Sequence, residues 1–303
     1  MTASPLAIVG TTASGKSALA MALARTRPDV ELISVDSMQV YRGMDIGTAK
    51  PSSAERAEVP HHCLDLVDPW EEFTVSQFQQ AVRSAISEVE RRGRRPVLVG
   101  GTGLYLRAVI DDLEVPGRFP DVAAELGEEP DTTVLHARLV QLDPVAAARM
   151  EPGNRRRVVR ALEVTLGSGR PFSSFGPGLE EYPAIRHTLV GVRLPRPVVD
   201  RRIEDRYEAQ MGAGFLDEVH RLVEDPRGWS RTASQALGYK ELADHLRGDA
   251  TLDEALDLAL RRTRRFARRQ DRWFRRDPRI RWLDTNDDST ALLPALLDIW
   301  EHR

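Results

Sequence analysis

The stretch that decides the fold is Gly10-Thr11-Thr12-Ala13-Ser14-Gly15-Lys16-Ser17. It follows the apolar run Leu6-Ala7-Ile8-Val9 and precedes a helical run from Ala18 to Arg25. Strand, Gly-rich turn and helix in that order give G-x-x-x-x-G-K-[ST] the context of a phosphate-binding loop. Glycines let backbone amides curl around an anion, and the helix N-terminus adds its partial positive charge. Lys16 brings a point charge to the outer phosphate oxygens, and Ser17 offers a hydroxyl to a magnesium ion. The expected ligand is a di- or triphosphate, ATP among the candidates, with Mg2+ as cofactor. The pattern does not specify the reaction.

Working outward, Glu31 to Val35 reads as a buried strand that ends at Asp36. Pro96 to Val99 is another, running into Gly100-Gly101-Thr102-Gly103 and a helix from Leu104 to Ile110. Ligands of parallel sheets sit beyond the carboxyl ends of strands. Asp36, Ser37, Met38, Gln39 and Thr102 are therefore expected beside the phosphate loop, with Asp36 able to take a proton or help hold magnesium. Leu64 to Leu66 reads as a short strand, Thr74 to Arg92 as an amphipathic helix and His187 to Val192 as a strand. Asp200 to Glu224 reads as a helix pair broken near Gly212, followed by helices over Ser234–Leu246 and Leu252–Arg276. The alternation implies an α/β fold, a doubly wound parallel sheet. His61 and His62 lie near a strand start, away from that edge, and read as structural.

From Pro116 the character changes. Gly117 to Pro130 is loop-like and acidic, Val134 to Met150 is helical with a break at Asp143-Pro144, and Arg155 to Leu166 is a helix capped by Asn154. Residues 116–186 read as a helical insertion, leaving 1–115 and 187–303 as the phosphate-loop core. In the helix from Leu252 an apolar stripe is flanked almost entirely by arginine, either a solvated face or a surface that tracks phosphates. Arg206 lies on a helix after the insertion, where it either closes over the phosphates as a lid residue or pairs with Glu204 or Asp205.

Composition narrows the class. A hydrophobic content of 41% with 29% charged residues is that of a chain with a sizeable core. No run is long and apolar enough to span a membrane, and the first residues lack the order of an export signal. One cysteine, Cys63, fits a reducing compartment, and the expectation is a cytoplasmic monomer. The net charge of −3 makes no bulk case for nucleic acid, so a basic surface must be local. Only Lys16, Lys50 and Lys240 are lysine among 43 basic residues. Lys16 belongs to the phosphate loop, which suggests that Lys50 and Lys240 also do something a planar guanidinium cannot. Spacing alone leaves a kinase and a transferase with a diphosphate leaving group equally open.

The chain resembles the bacterial tRNA dimethylallyltransferases, also called tRNA isopentenyltransferases, almost end to end. The resemblance rests on GTTASGKS at 10–17, SVDSMQVYRGMDIGTAKP at 34–51, VPHHCLDLVDP at 59–69 and PVLVGGTGLY at 96–105. RRVVRALEV at 156–164, RIEDRYEAQMGAGFLDEV at 202–219, GYKE at 238–241 and TRRFARRQDRWFR at 263–275 extend it. It implies transfer of a dimethylallyl group from dimethylallyl diphosphate to the exocyclic amine of the adenosine 3′ to the anticodon, in tRNAs reading UNN codons. Gly10 to Ser17 and Arg206 would bind the diphosphate, with Ser17 on the metal and Lys16, Asp36 and Thr102 catalytic. Asp36, Ser37, Met38, Gln39 and Thr102 would contact the flipped base. Arg156, Arg157 and Arg160 would bind the anticodon-loop backbone, and the arginine-rich helix the stem. Two departures stand out. Gly153-Asn154 replaces the family's usual Asn-Asp, and Ala123 or Ala124 stands where an RNA-contacting arginine is common, so no function is carried onto 119–130. The alternatives are a phosphate-loop kinase and the relative that prenylates free adenine nucleotides.

Overall fold

The structure is a computed structural model that describes residues 5–176 and 178–301. Six parallel strands, β1 (Leu6–Gly10), β2 (Val30–Val35), β3 (His61–His62), β4 (Arg95–Gly100), β5 (Thr188–Arg193) and β6 (Ile280–Asp284), run in the order β3-β2-β4-β1-β5-β6. β1 and β2 are buried at every position, as strands covered on both faces must be. Two differences from the sequence reading concern strands. The short strand is His61–His62, not Leu64–Leu66, because Cys63 and Asp65 take positive φ and break the extended run. The sixth strand was not expected. Its Ile280 and Trp282 cover Gly191 of β5, where any Cβ would lie within 2.8 Å of both side chains.

Helices α1 (Lys16–Thr26), α2 (Ser53–Glu58), α3 (Val75–Arg91) and α4 (Gly103–Ile110) connect the first strands. Thr74 and Gln77 close a capping box at the start of α3.

Two compact units result, Asp111–Pro183 and the rest of the chain. The smaller unit begins and ends a few residues before the limits 116–186. α4 stops at Ile110 and the chain turns at Asp112, which has φ +53°, while Ile185 already packs on the larger core. The smaller unit is helical among its described residues: α5 (Pro120–Gly127), α6 (Thr132–Leu142), α7 (Pro144–Ala148) and α8 (Arg155–Ser168). α5 corrects the loop expected over 117–130. Pro120 starts it, and Val122 and Leu126, one turn apart, face a core of Leu135, Leu139, Val158 and Leu162. The larger unit continues with α9 (Arg196–Gly212), α10 (Phe215–Glu224), α11 (Tyr239–Leu246), α12 (Leu252–Phe274) and α13 (Leu293–Glu301).

Candidate active site

Sheet register brings the site together. β4 lies between β1 and β2, and Gly100 pairs with both Val9 and Val35. The residues that follow these strands therefore emerge side by side. The packing at Gly100 is so close that a Cβ would meet the Val35 carbonyl oxygen at 2.0 Å. Thr102 sits next to the end of β2, its Oγ1 accepting from the Ser37 amide at 3.3 Å.

The phosphate loop has the backbone its sequence predicts. Gly15 adopts φ +83° as the cap of α1, and Ala13 also has a positive φ. A Cβ at Gly10 would clash with Ser14 Oγ and the Val192 carbonyl. Ser14 is buried, and its hydroxyl has no hydrogen-bond partner. The Lys16 ammonium donates to the Thr11 carbonyl at 3.0 Å. Burial lowers its pKa to about 8; Asp36 opposes that shift, and Arg206 adds to it. Asp36 thus lies within electrostatic reach of Lys16. Its Oδ1 accepts from the amides of Met38 at 2.8 Å and Gln39 at 3.4 Å, while Oδ2 has no hydrogen bond among the described residues. Ser17 opens the helix with an exposed hydroxyl.

Arg206 lies half-buried against the loop, not paired on the surface. Its Nη1 donates to Thr12 Oγ1 at 2.7 Å, and its Nε is buried without a partner. Burial lowers its pKa. The Thr12 amide, which the motif alone would assign to a phosphate, instead donates to Gln270 Oε1 at 2.8 Å.

Two expected RNA contacts are committed elsewhere. Gln39 donates to the Thr48 and Ala49 carbonyls and accepts from Ser34 Oγ, which uses both of its amide protons and leaves only one lone pair of its oxygen open to a base. Arg160 pairs with Glu163 at 2.7 Å and donates to the Pro116 and Gly117 carbonyls, so it closes the neck of the smaller unit. Arg156 and Arg157, on the same helix, are exposed and make no side-chain bond among the described residues. Met38 packs partly on the core.

The remaining lysines divide. The Lys50 ammonium is 1% exposed and donates to the Tyr41 carbonyl, Asp45 and Asp65, the carboxylates both at 2.6 Å. That knot closes the loop 41–50 on which Gln39 leans. Glu218 holds the same loop by accepting from the amides of Asp45, Ile46 and Gly47 and from the Tyr239 hydroxyl. Lys240 is exposed, beside Arg262, Arg265 and Arg269 in a cavity of about 510 Å³. His61 and His62 bind the Val59 carbonyl and Glu31, as structural residues do.

On α12, Ala255, Ala259, Thr263, Ala267, Gln270 and Phe274 are buried. At about 100° per residue, Arg265, Arg268, Arg269 and Arg272 fall on the opposite face, exposed and without an ion pair among the described residues. Gln270, Glu218 and β6 had weak signals in the sequence. Gln270 stood in the apolar stripe, Glu218 was one unassigned acid within the motif at 202–219, and β6 is only five residues long.

Fold and site together define a phosphate-loop α/β protein whose anion cradle faces an uncommitted carboxylate. The model of the IPP transferase family matches residues 39–277. The chain belongs to that family. It is 48% identical over 297 residues to a tRNA dimethylallyltransferase of Kineococcus radiotolerans, covering 95% of this chain and 92% of the relative. It is 46% identical over 295 residues to one of Streptomyces coelicolor, covering 96% and 93%. Among solved structures it is similar to the full-length tRNA isopentenylpyrophosphate transferase of Bacillus halodurans, with a TM-score of 0.70 at 39% identity, covering 97% of this chain and 94% of the other. It is also similar to a eukaryotic dimethylallyltransferase acting on tRNA, with a TM-score of 0.82 at 28% identity, covering 99% and 80%.

Proposed function

We propose that this protein transfers a dimethylallyl group from dimethylallyl diphosphate to the exocyclic amine of the adenosine 3′ to the anticodon in tRNAs reading UNN codons. The observation that carries the chemistry is the placement of Asp36 and Thr102 beside Lys16 by strand register. The family relatives carry the choice of tRNA as acceptor.

The roles we assign are these. The amine nitrogen attacks the first carbon of the prenyl group, the bond from that carbon to the diphosphate oxygen breaks, and the amine proton passes to Asp36 Oδ2. Asp36 Oδ1, tied to two amides, keeps the carboxylate aimed. Thr102 orients the amine. Lys16, the loop amides and Arg206 stabilise charge gathering on the departing diphosphate. Magnesium fits a site of this kind. Ser17 is exposed at the start of α1, next to Lys16, and Mg2+ commonly takes few protein ligands, completing its shell with substrate phosphate and water. The Ser17 hydroxyl would hold it, and the ion would neutralise the leaving group. Arg156, Arg157 and the free arginine face of α12 would meet RNA phosphates.

The test is direct. Protein, dimethylallyl diphosphate, magnesium and a UNN-reading tRNA should yield RNA heavier by one prenyl unit. Asp36→Asn should lower turnover by about 10²–10⁴-fold without weakening diphosphate binding. Product formed only with free adenine nucleotide or by phosphoryl transfer would replace this reading, and unchanged turnover would remove Asp36 as base.

A further inference from the structure

We propose that Gln270 sets the spacing between the two halves of the active site, as a positioning residue that touches neither substrate. The inference rests on the transferase reading above.

Its carboxamide is 7% exposed and makes two bonds to distant parts of the chain. Oε1 accepts from the Thr12 amide at 2.8 Å, and Nε2 donates to the Gly101 carbonyl at 2.8 Å. Only one orientation of the amide satisfies both, because Thr12 offers a donor and Gly101 an acceptor. Thr12 is in the diphosphate cradle and anchors Arg206. Gly101 immediately precedes Thr102. One turn along, Trp273 covers Gly103 so closely that a Cβ there would lie 2.1 Å from the indole. A Cβ at Gly101 would likewise meet Gln270 Nε2 at 2.5 Å. α12 therefore grips Thr102 from both sides while its Gln270 holds the phosphate loop.

Beyond the strand register that brings these loops together, one side chain ties the leaving-group loop to the acceptor loop. A misplacement near 1 Å can cost on the order of 10²-fold in rate. A residue that holds two loops in register should act on turnover, not on capture of either substrate.

Two replacements separate this from general stability. Gln270→Met keeps the shape and loses both bonds. Gln270→Glu keeps them only while its carboxyl is protonated, since an ionised carboxylate cannot donate to Gly101. Turnover, KM for both substrates and Tm would be measured across pH, each rate divided by that of the parent so that titration of Lys16, Asp36 and the RNA cancels. For Gln270→Met we expect kcat to fall roughly ten- to a hundredfold, with KM values within about twofold and a ratio independent of pH. For Gln270→Glu the ratio should climb towards one as pH falls. Turnover of Gln270→Met within twofold of the parent, or a flat ratio for Gln270→Glu, overturns the proposal. Absence of tRNA prenylation by the parent itself overturns the transferase reading instead. Should Gln270→Met fail to fold, the pH dependence of Gln270→Glu decides alone.

Discussion

Replacing Lys50 by arginine tests whether a rare lysine was retained for its shape. The ammonium points three donors at three converging oxygens, from Tyr41, Asp45 and Asp65, and is 1% exposed. A guanidinium is longer and planar, so it overfills the site and cannot reach all three in one plane. Overpacking of this kind costs typically 1–3 kcal/mol, and a lost hydrogen bond to a charged group about 1.5–3 kcal/mol. Two features reduce the sum. Asp45 is 54% exposed and rehydrates, and Asp65 keeps Arg56 at 2.7 Å. The expected loss is then about 2 kcal/mol, which for a chain of 303 residues lowers Tm by roughly 3 °C. The assay is thermal unfolding at equal protein concentration, with Lys240→Arg as control. Lys240 is exposed, so that change should stay within about 0.5 kcal/mol. If Lys50→Arg unfolds within about 1 °C of the parent, the scale of an ordinary surface change, the argument from ammonium geometry is wrong.

Four further outcomes are expected. Because burial holds Lys16 to a pKa of about 8, diphosphate affinity should weaken as pH rises through 8, and binding there should take up protons; identical calorimetric enthalpies in buffers of different ionisation heat would contradict this. The same shift makes the ligand-free fold gain stability from Lys16 between about pH 8 and 10.5, since the unfolded chain then holds more protons. On α8, Arg156→Ala and Arg157→Ala should each reduce the salt slope of tRNA binding by about one unit of phosphate contact. Arg160→Ala should instead lower Tm, because its ties to Glu163, Pro116 and Gly117 are structural; equal effects at all three positions would remove that distinction.

Local pattern determined a great deal. A phosphate loop is a contiguous motif whose glycines, lysine and flanking strand and helix are all read within twenty residues, so Gly10 to Ser17 was legible at once. Asp36 and Thr102 were legible as strand-end residues because a parallel sheet collects such ends on one edge. Even the structural use of His61 and His62 followed from position. What sequence alone could not supply were partners fixed only when distant segments meet. Gln270 lies 258 residues from Thr12, and a lone glutamine in an apolar stripe carries no sign of the two backbone groups it joins. Gln39 and Arg160 looked free for RNA until loop 41–50 and residues 116–117 were seen to occupy them. Lys50 advertised itself by composition, yet its three acceptors come from both sides of a folded loop. Motifs record chemistry that neighbours in the chain can hold, whereas the choice of which donor faces which acceptor across hundreds of residues is made by packing.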